Sequence, residues 1–430
     1  MNVSDSERVA TLLDSEGYVI TSTESEADIV LLNTCSVREK AEHKLYSRVG
    51  AIRDLDDRRP MLGVMGCVAQ LEGDKLITDR RGIDFVVGTK AVGRVAEIIK
   101  RVTEGEDVVD LGDREAEYDW SVSDRQRNSP YVSFVPIIEG CNKFCTYCIV
   151  PFSRGREKSL PASLIIDQVR HLNDQGVREI HLIGQNVNSY RPTSADGLEG
   201  IPGATPFAKL LRAVAQTGIE RIKFATSFPR DFHPDIVDAI DEYENLCNWV
   251  HLPVQSGSDS ILKAMRRGHS IESYKKRIDR IRDSNRDISL TTDIIVGFPG
   301  ETEKDFQQTL DLAEYCRFDS GYIFKYSPRP GTPAFELEDD VTPEEKSIRF
   351  QELQRMMRKT QREAFDRQVG KTLKVLAERT SAKSADVLTG HSTCHRLVNF
   401  PCDSALLGRV LEVEVTETKV NSLFGRVKGI

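Results

Sequence analysis

Between about residues 129 and 340 the chain alternates apolar runs with amphipathic ones, and no other feature narrows its fold as far. "VSFVPIIEGC", "REIHLIGQNV", "RIKFATS", "WVHLPVQSGS", "SLTTDIIVGFPG" and "SGYIFKYSP" read as strands. "ASLIIDQVRHLNDQG", "PFAKLLRAVAQTG", "PDIVDAIDEY", "SIESYKKRIDRIRDS" and "TEKDFQQTLDLAEYC" between them read as helices. Strands that alternate with helices pair in parallel. Six such units are too few to close an eight-fold barrel and enough for an open one.

The flanks extend the α/β reading. Residues 1–115 form an N-terminal open parallel α/β domain. "MNVSDSERVATLLDSEGYVI" reads as a helix that Ser4 or Asp5 can cap and Gly17 ends. "ADIVLLNTC", "PMLGVMGC" and "IDFVVGT" read as strands buried on both faces, with a helix at about 37–55. A polar linker over 116–128 leads to the central partial (β/α)6 barrel, 127–366. Its last helix opens with a capping box, Thr342-Pro343-Glu344-Glu345. Residues 368–430 change to alternating, β-branched segments and read as a small all-β barrel of OB-like size.

No run of 18 apolar residues exists, and the acidic, polar start lacks the regions of a signal peptide, so a cytoplasmic protein with no membrane contact is expected. Nine cysteines without a secretion signal argue against a disulfide framework. The net charge of −8 disfavours a generic nucleic-acid binder, yet two regions are basic. Nine Lys/Arg face six Asp/Glu from Lys371 onward, and Lys143, Arg154, Arg156 and Lys158 face only Glu157 in Cys141–Leu160. Such patches can meet phosphate, and Arg154 and Arg156 are candidates for it; a solvated loop is the plainer alternative.

"EGCNKFCTYC" places Cys141, Cys145 and Cys148 on one loop just after a strand. Structural zinc needs four ligands, and the next cysteine, Cys247, is about a hundred residues away. Three thiolates suit a cubane iron–sulfur cluster whose fourth iron stays open to a small molecule. Cys35 and Cys67 each follow a strand's C-terminal end, the edge where open α/β sheets place their sites, and are candidates for a shared ligand.

The C-x3-C-x2-C loop after the first strand of a partial barrel resembles the radical S-adenosylmethionine enzymes. "EGCNKFCTYCIVPFSRGREKS", "LIGQNVNSY", "HLPVQSGS", "DIIVGFPGET" and "NTCSVREKAEHK" together resemble the methylthiotransferases, and the terminal β barrel resembles their RNA-binding TRAM domain. Within them the chain is most similar to the type that converts N6-isopentenyl(dimethylallyl)adenosine at tRNA position 37, beside the anticodon, to its 2-methylthio form. The resemblance implies two 4Fe–4S clusters: Cys141, Cys145 and Cys148 hold the radical cluster, and Cys35 and Cys67 belong to an auxiliary one. It implies S-adenosylmethionine as both methyl donor and radical source. It further implies the anticodon arm of tRNA as partner and an electron donor such as flavodoxin or ferredoxin; a monomer is expected. The family's N-terminal domain starts with a strand ending in Gly-Cys-Gln. That strand and its cysteine have no counterpart in the sequence, so the protein is expected to begin upstream of Met1.

Gln185, Asn186, Gln255, Ser256, Gly297 and Gly300 sit at strand C-termini and are candidates to line the S-adenosylmethionine pocket, with tight βα turns as the alternative. Cys247 and Cys316 read as core thiols. Cys394 and Cys402, near His391 and His395, read as ordinary barrel residues rather than a further metal site. The competing functions are a methylthiotransferase for threonylcarbamoyladenosine in tRNA or for a ribosomal-protein aspartate, and a non-catalytic RNA-binding metal protein.

Overall fold

Four parallel strands carry the N-terminal region of the computed structural model, which describes residues 1–36, 39–54, 59–79, 82–112 and 123–429. They are β1 (Ile29–Thr34), β2 (Met61–Gly66), β3 (Phe85–Val87) and β4 (Val108–Asp110), in sequential order. Alternate residues face opposite sides of such a sheet. Leu62, Val64 and Val86 pack with Leu45, Val49 and Ile52 of the helix Glu39–Arg53. Phe85, Val87 and Val108 pack on the other side with Val9 and with Val95, Ile98 and Ile99 of the helix Val95–Thr103. The three-residue β4 is too short to leave a period in the sequence.

The first helix, Asn2–Ser15, differs from the sequence reading at its start. Met1 is the N-cap, and Ser4 and Asp5 lie buried in the first turn instead of capping it. Asp5 is drawn inward because its carboxylate pairs with Arg154 at 2.6 Å. Gly17 follows the helix at φ +88° as expected. Of the linker, 116–122 lies outside the described residues. Its far end is tied down: the Asn128 amide donates to Glu7 Oε1 at 2.9 Å.

The chain divides into two units. Met1–Asn128, Glu139–Asn142 and Cys148–Glu157 make the first; Ser129–Ile138, Lys143–Tyr147 and Lys158–Ile430 make the second. The second opens with β5 (Val132–Pro136), and two short strands, β6 (Ile138–Glu139) and β7 (Lys158–Ser159), flank the cysteine loop. Next come β8 (Glu179–Ile183), β9 (Arg221–Phe224), β10 (Trp249–His251), β11 (Ser289–Val296) and β12 (Ser320–Lys325). They pair in parallel as β5-β8-β9 and β10-β11-β12, and a bridge from Ile222 to Leu246 joins the two sheets. This is the open six-stranded barrel that the alternation predicts.

The helix Pro343–Asp366 carries the capping box at Thr342 and Glu345. After it, β13 (Thr372–Ser381), β14 (Ser384–Ser392), β15 (Leu397–Pro401), β16 (Val410–Thr418) and β17 (Leu423–Val427) close a small barrel in the order β13-β14-β15-β17-β16. Val375, Leu388, Val398, Phe400, Val413 and Leu423 fill it, with Phe365 from the preceding helix.

Candidate active site

The cysteine loop leaves the C-terminal end of β5, the end where (β/α) barrels bind ligands. Gly140 starts the turn at φ +74°, and a Cβ there would stand 2.1 Å from the Arg156 carbonyl oxygen, so only glycine fits. The Cys141 amide donates to the Gly155 carbonyl at 3.1 Å. Further along, the Thr146 amide donates to the Met265 carbonyl at 3.1 Å and its hydroxyl to the Ala264 carbonyl at 2.9 Å. Tyr147 packs on Ile261, Met265, Phe298 and Tyr326. The loop is therefore held by its backbone and by the Thr146 and Tyr147 side chains.

Cys141 and Cys145 are buried and Cys148 is half-buried. Arg267 Nη1 lies 3.5 Å from the Cys145 sulfur. The same guanidinium donates to the Pro253 carbonyl at 2.8 Å and stands over the Phe228 ring at 4.3 Å. Among the described residues no three His, Cys, Asp or Glu side chains converge on one ion. Each cysteine of a cubane site holds a different iron, so its ligands need not converge on a point. Gln185 Oε1 and Asp293 Oδ1 are buried without a hydrogen-bond partner. Unpaired buried oxygens are costly and are expected where a polar ligand completes the site. Three cysteines on one loop suit an iron–sulfur cluster, and the two open acceptors in the barrel suit a polar cofactor such as S-adenosylmethionine.

In the first unit, Thr34 pairs with Gly66 at the ends of β1 and β2. Cys35 and Cys67 directly follow these two residues, so the register brings both cysteines to the same edge of the sheet. Cys67 also starts the helix Cys67–Glu72. Arg154 is the basic residue that the sequence reading misassigns. It is 5% exposed, and it bonds Asp5 Oδ2 at 2.6 Å and Asn2 Oδ1 at 3.1 Å. Burial alone would lower its guanidinium pKa, but Asp5, the Cys67 thiol and Glu139 outweigh burial and raise it. Arg154 thus serves the buried wall near Cys67; Arg156 is exposed.

The remaining candidates divide. Gln185 and Asn186 follow β8, and Asn186 is buried. Gln255 holds a left-handed φ of +76°, bridges to Ile294 and is 9% exposed. Ser256 is fully buried. The Gly297 amide donates to Glu301 Oε2 at 2.6 Å, and the Gly300 amide to Asp340 Oδ1 at 2.7 Å, so these two shape a turn. Cys247 and Cys316 are buried; burial raises both thiols, Cys316 to about 12. Cys394 Sγ accepts from Arg396 Nη1 at 2.8 Å, and Cys402 packs on the small barrel's core.

One cluster was missed in the sequence. Glu179, fully buried at the start of β8, accepts from Arg221 at 2.7 Å, Lys223 at 2.9 Å and His181 at 2.6 Å. Burial pushes its carboxyl up, but Lys223, Arg221 and His181 prevail and hold it well below the usual range. Arg221 also donates to the His391 carbonyl at 2.9 Å, and Arg396 pairs with Asp319 at 2.6 Å. The rings of His391 and His395 stack at 4.9 Å, and His395 lies 4.5 Å from Trp249. These contacts clamp the small barrel onto the N-terminal ends of the large barrel's strands. The one trace in the sequence is a pair of ionisable residues at alternate positions of two strands, Glu179 with His181 and Arg221 with Lys223, and it does not tell which face turns inward.

The Radical SAM superfamily matches residues 135–313, the TRAM domain residues 366–428, and the Uncharacterized protein family UPF0004 residues 1–88. With the three-thiol loop on an open barrel, these define a radical S-adenosylmethionine protein that carries a TRAM barrel. The chain is 43% identical over 430 residues to the tRNA-2-methylthio-N(6)-dimethylallyladenosine synthase of Jannaschia sp. (strain CCS1), covering 99% of this chain and 92% of the relative. To the synthase of that name from Koribacter versatilis (strain Ellin345) it is 40% identical, covering 100% and 96%. The chain belongs to the tRNA-2-methylthio-N(6)-dimethylallyladenosine synthase family. The solved radical S-adenosylmethionine methyltransferase TsrM from Kitasatospora setae, with cobalamin and a 4Fe–4S cluster bound, shares the fold. The two align with a TM-score of 0.57 at 15% identity, over 77% of this chain and 73% of that one.

Proposed function

We infer that this chain replaces the C2 hydrogen of N6-isopentenyladenosine at tRNA position 37 with a methylthio group. The observation that carries the reading is identity over nearly the whole chain to synthases of that name, with the three-thiol loop intact at the barrel's C-terminal end. Cys141, Cys145 and Cys148 hold the radical cluster, and Cys35 and Cys67 belong to the auxiliary cluster. When bound, the clusters and S-adenosylmethionine would supply the electron, the radical, the methyl group and, at the auxiliary cluster, the sulfur that the reaction needs. The adenine C2–H is neither acidic nor a leaving group, so acid–base residues alone cannot exchange it for sulfur.

The chain's own residues position and enclose. Arg267 fixes Cys145 in its reactive orientation. Gln185 and Asp293 offer hydrogen-bond acceptors inside the barrel to a polar cofactor. Gln255, Ser256, Gly297 and Gly300 shape the rim around it, and Asn186 supports Gln185 from the adjacent position. The small barrel supplies RNA affinity. Cleavage of S-adenosylmethionine consumes an electron, so a low-potential donor such as flavodoxin or ferredoxin is a partner, and a cytoplasmic monomer suits both. Among the described residues no helix is long and apolar enough to cross a membrane.

The test is anaerobic incubation of the iron- and sulfide-reconstituted protein with S-adenosylmethionine, a reductant and tRNA carrying N6-isopentenyladenosine. Nucleoside mass spectrometry should find the 2-methylthio product. Modification of threonylcarbamoyladenosine or of a ribosomal-protein aspartate instead would overturn the substrate assignment. Zinc in place of iron, without cleavage of S-adenosylmethionine, would overturn the reaction.

A further inference from the structure

The loops that follow β8 and β9, together with the helix Ile271–Arg282, enclose a groove of about 480 Å³. Arg191, Arg230, Lys276, Arg277 and Arg280 line it, against one acidic residue, Asp231. Asp238 and Asp241, which pair with Arg280, and Glu272, which pairs with Lys276, do not line it. A guanidinium carries five N–H donors and an ammonium three, so such pairing leaves donors for a further anion.

The groove is built rather than incidental. Arg277 donates to the Phe232 carbonyl at 3.2 Å and the Arg230 carbonyl at 3.1 Å, fixing the loop after β9 to the helix. Asp231 is neutralised within the wall: it accepts from Lys143 at 2.6 Å, from Ser189 at 2.9 Å and from Arg230 at 3.0 Å. Lys143 lies inside the cysteine motif, between Cys141 and Cys145. The groove is therefore wired through one ion pair to the loop where the chemistry is expected, at the same end of the barrel.

We propose that this groove binds the RNA phosphates that flank the reacting nucleotide. The proposal rests on tRNA being the substrate. S-adenosylmethionine carries no phosphate, so the backbone of the RNA is the source of phosphate in this reaction. An enzyme that works on a base must take it out of its stack and hold the neighbouring backbone while it does so. Single-stranded loops are held by cationic tracks beside the base pocket.

The test uses the full chain and an anticodon stem-loop RNA, with affinity measured across a salt series. Arg191 is exposed, and Lys276 has 73% of its side chain exposed, so Arg191→Ser with Lys276→Ser leaves the core untouched. The double variant should bind about tenfold more weakly. The slope of log affinity against log salt should fall by about 1.4, the value for two lost single-strand phosphate contacts. The charge-preserving pair Arg191→Lys with Lys276→Arg should keep the wild-type slope. Unchanged affinity and slope in the double serine variant, with the wild type binding RNA normally, would overturn the groove and leave the function intact. An equal loss in Arg355→Ser with Lys359→Ser, on the long helix away from the groove, would overturn it as well. Failure of the wild type to bind RNA in a salt-dependent way would instead remove the tRNA reading.

Discussion

Arg267 Nη1 stands 3.5 Å from the sulfur of Cys145, and the arginine is held there by the Pro253 carbonyl and the face of Phe228. A donor at a cluster sulfur stabilises the more negative, reduced state. Replacing Arg267 with Met should move the reduction potential of the reconstituted cluster to more negative values. The shift is about 60 mV if the donor favours the reduced state tenfold in a one-electron couple. A redox titration followed by electron paramagnetic resonance reads it, and an unmoved potential would assign Arg267 to packing alone.

The cysteines should separate by iron content. Cys145→Ala removes one of the three proposed ligands on the loop and should abolish iron retention at that site and cleavage of S-adenosylmethionine. Cys247→Ala and Cys316→Ala should retain iron and lose about 1 kcal/mol of stability, the scale of deleting one buried methylene-sized group. Iron and sulfide analysis with a denaturant melt distinguishes the two kinds.

In the first unit, Arg154 and Asp5 form an ion pair whose side chains are 3% and 6% exposed. Removing one partner of a buried pair strands the other charge. Asp5→Asn should therefore cost about 3 kcal/mol. The double variant Asp5→Asn with Arg154→Met should be less destabilised than the sum of the singles. Strict additivity in denaturant unfolding would show that the two side chains are not coupled.

The clamp between the two barrels predicts a pH dependence. His395 is pushed down to about 2, by burial first and then by Lys223 and His391. An unfolded imidazole titrates near ~6.5, so between these values the unfolded chain binds the extra proton. The stability from neutral His395 is full above about pH 6.5 and falls as the pH drops below it. Glu179, depressed in the fold, adds a loss of the same sign once the pH falls below the unfolded carboxyl value of about 4.3. The melting temperature should decline from pH 7.5 to 5.5, and His395→Gln should flatten that decline. A wild-type profile that is flat over this range would contradict the assignment.

Local pattern made much of this molecule legible. Six apolar runs, a capping box at Thr342 and Glu345, and the five alternating segments of the terminal barrel all lie where the sequence puts them. Cys141, Cys145 and Cys148 stood out because three cysteines on one loop need no knowledge of the fold. Features that depend on distant partners were not legible. Arg154 looks like a surface cation because Asp5 is 149 residues away in the chain. That Glu301 and Asp340 take the amides of Gly297 and Gly300 leaves no trace in the local pattern. The Glu179 cluster needed knowledge of which strand faces turn inward.

The clamp also sets a minimum size for a substrate that uses the whole molecule. Arg221, Trp249 and Asp319, which seat the small barrel, lie at the starts of their strands, whereas Cys145 and the Arg267 guanidinium lie beyond the ends of theirs. A strand such as β11, eight residues long, spans about 25 Å at ~3.3 Å per residue. An RNA held at both ends would have to reach round that thickness. A free nucleoside, or a few nucleotides of loop, would reach one end only. A hairpin with several base pairs of stem is the shortest RNA that can close the gap, and trimming the stem while keeping the loop should weaken binding abruptly at one length rather than by equal steps.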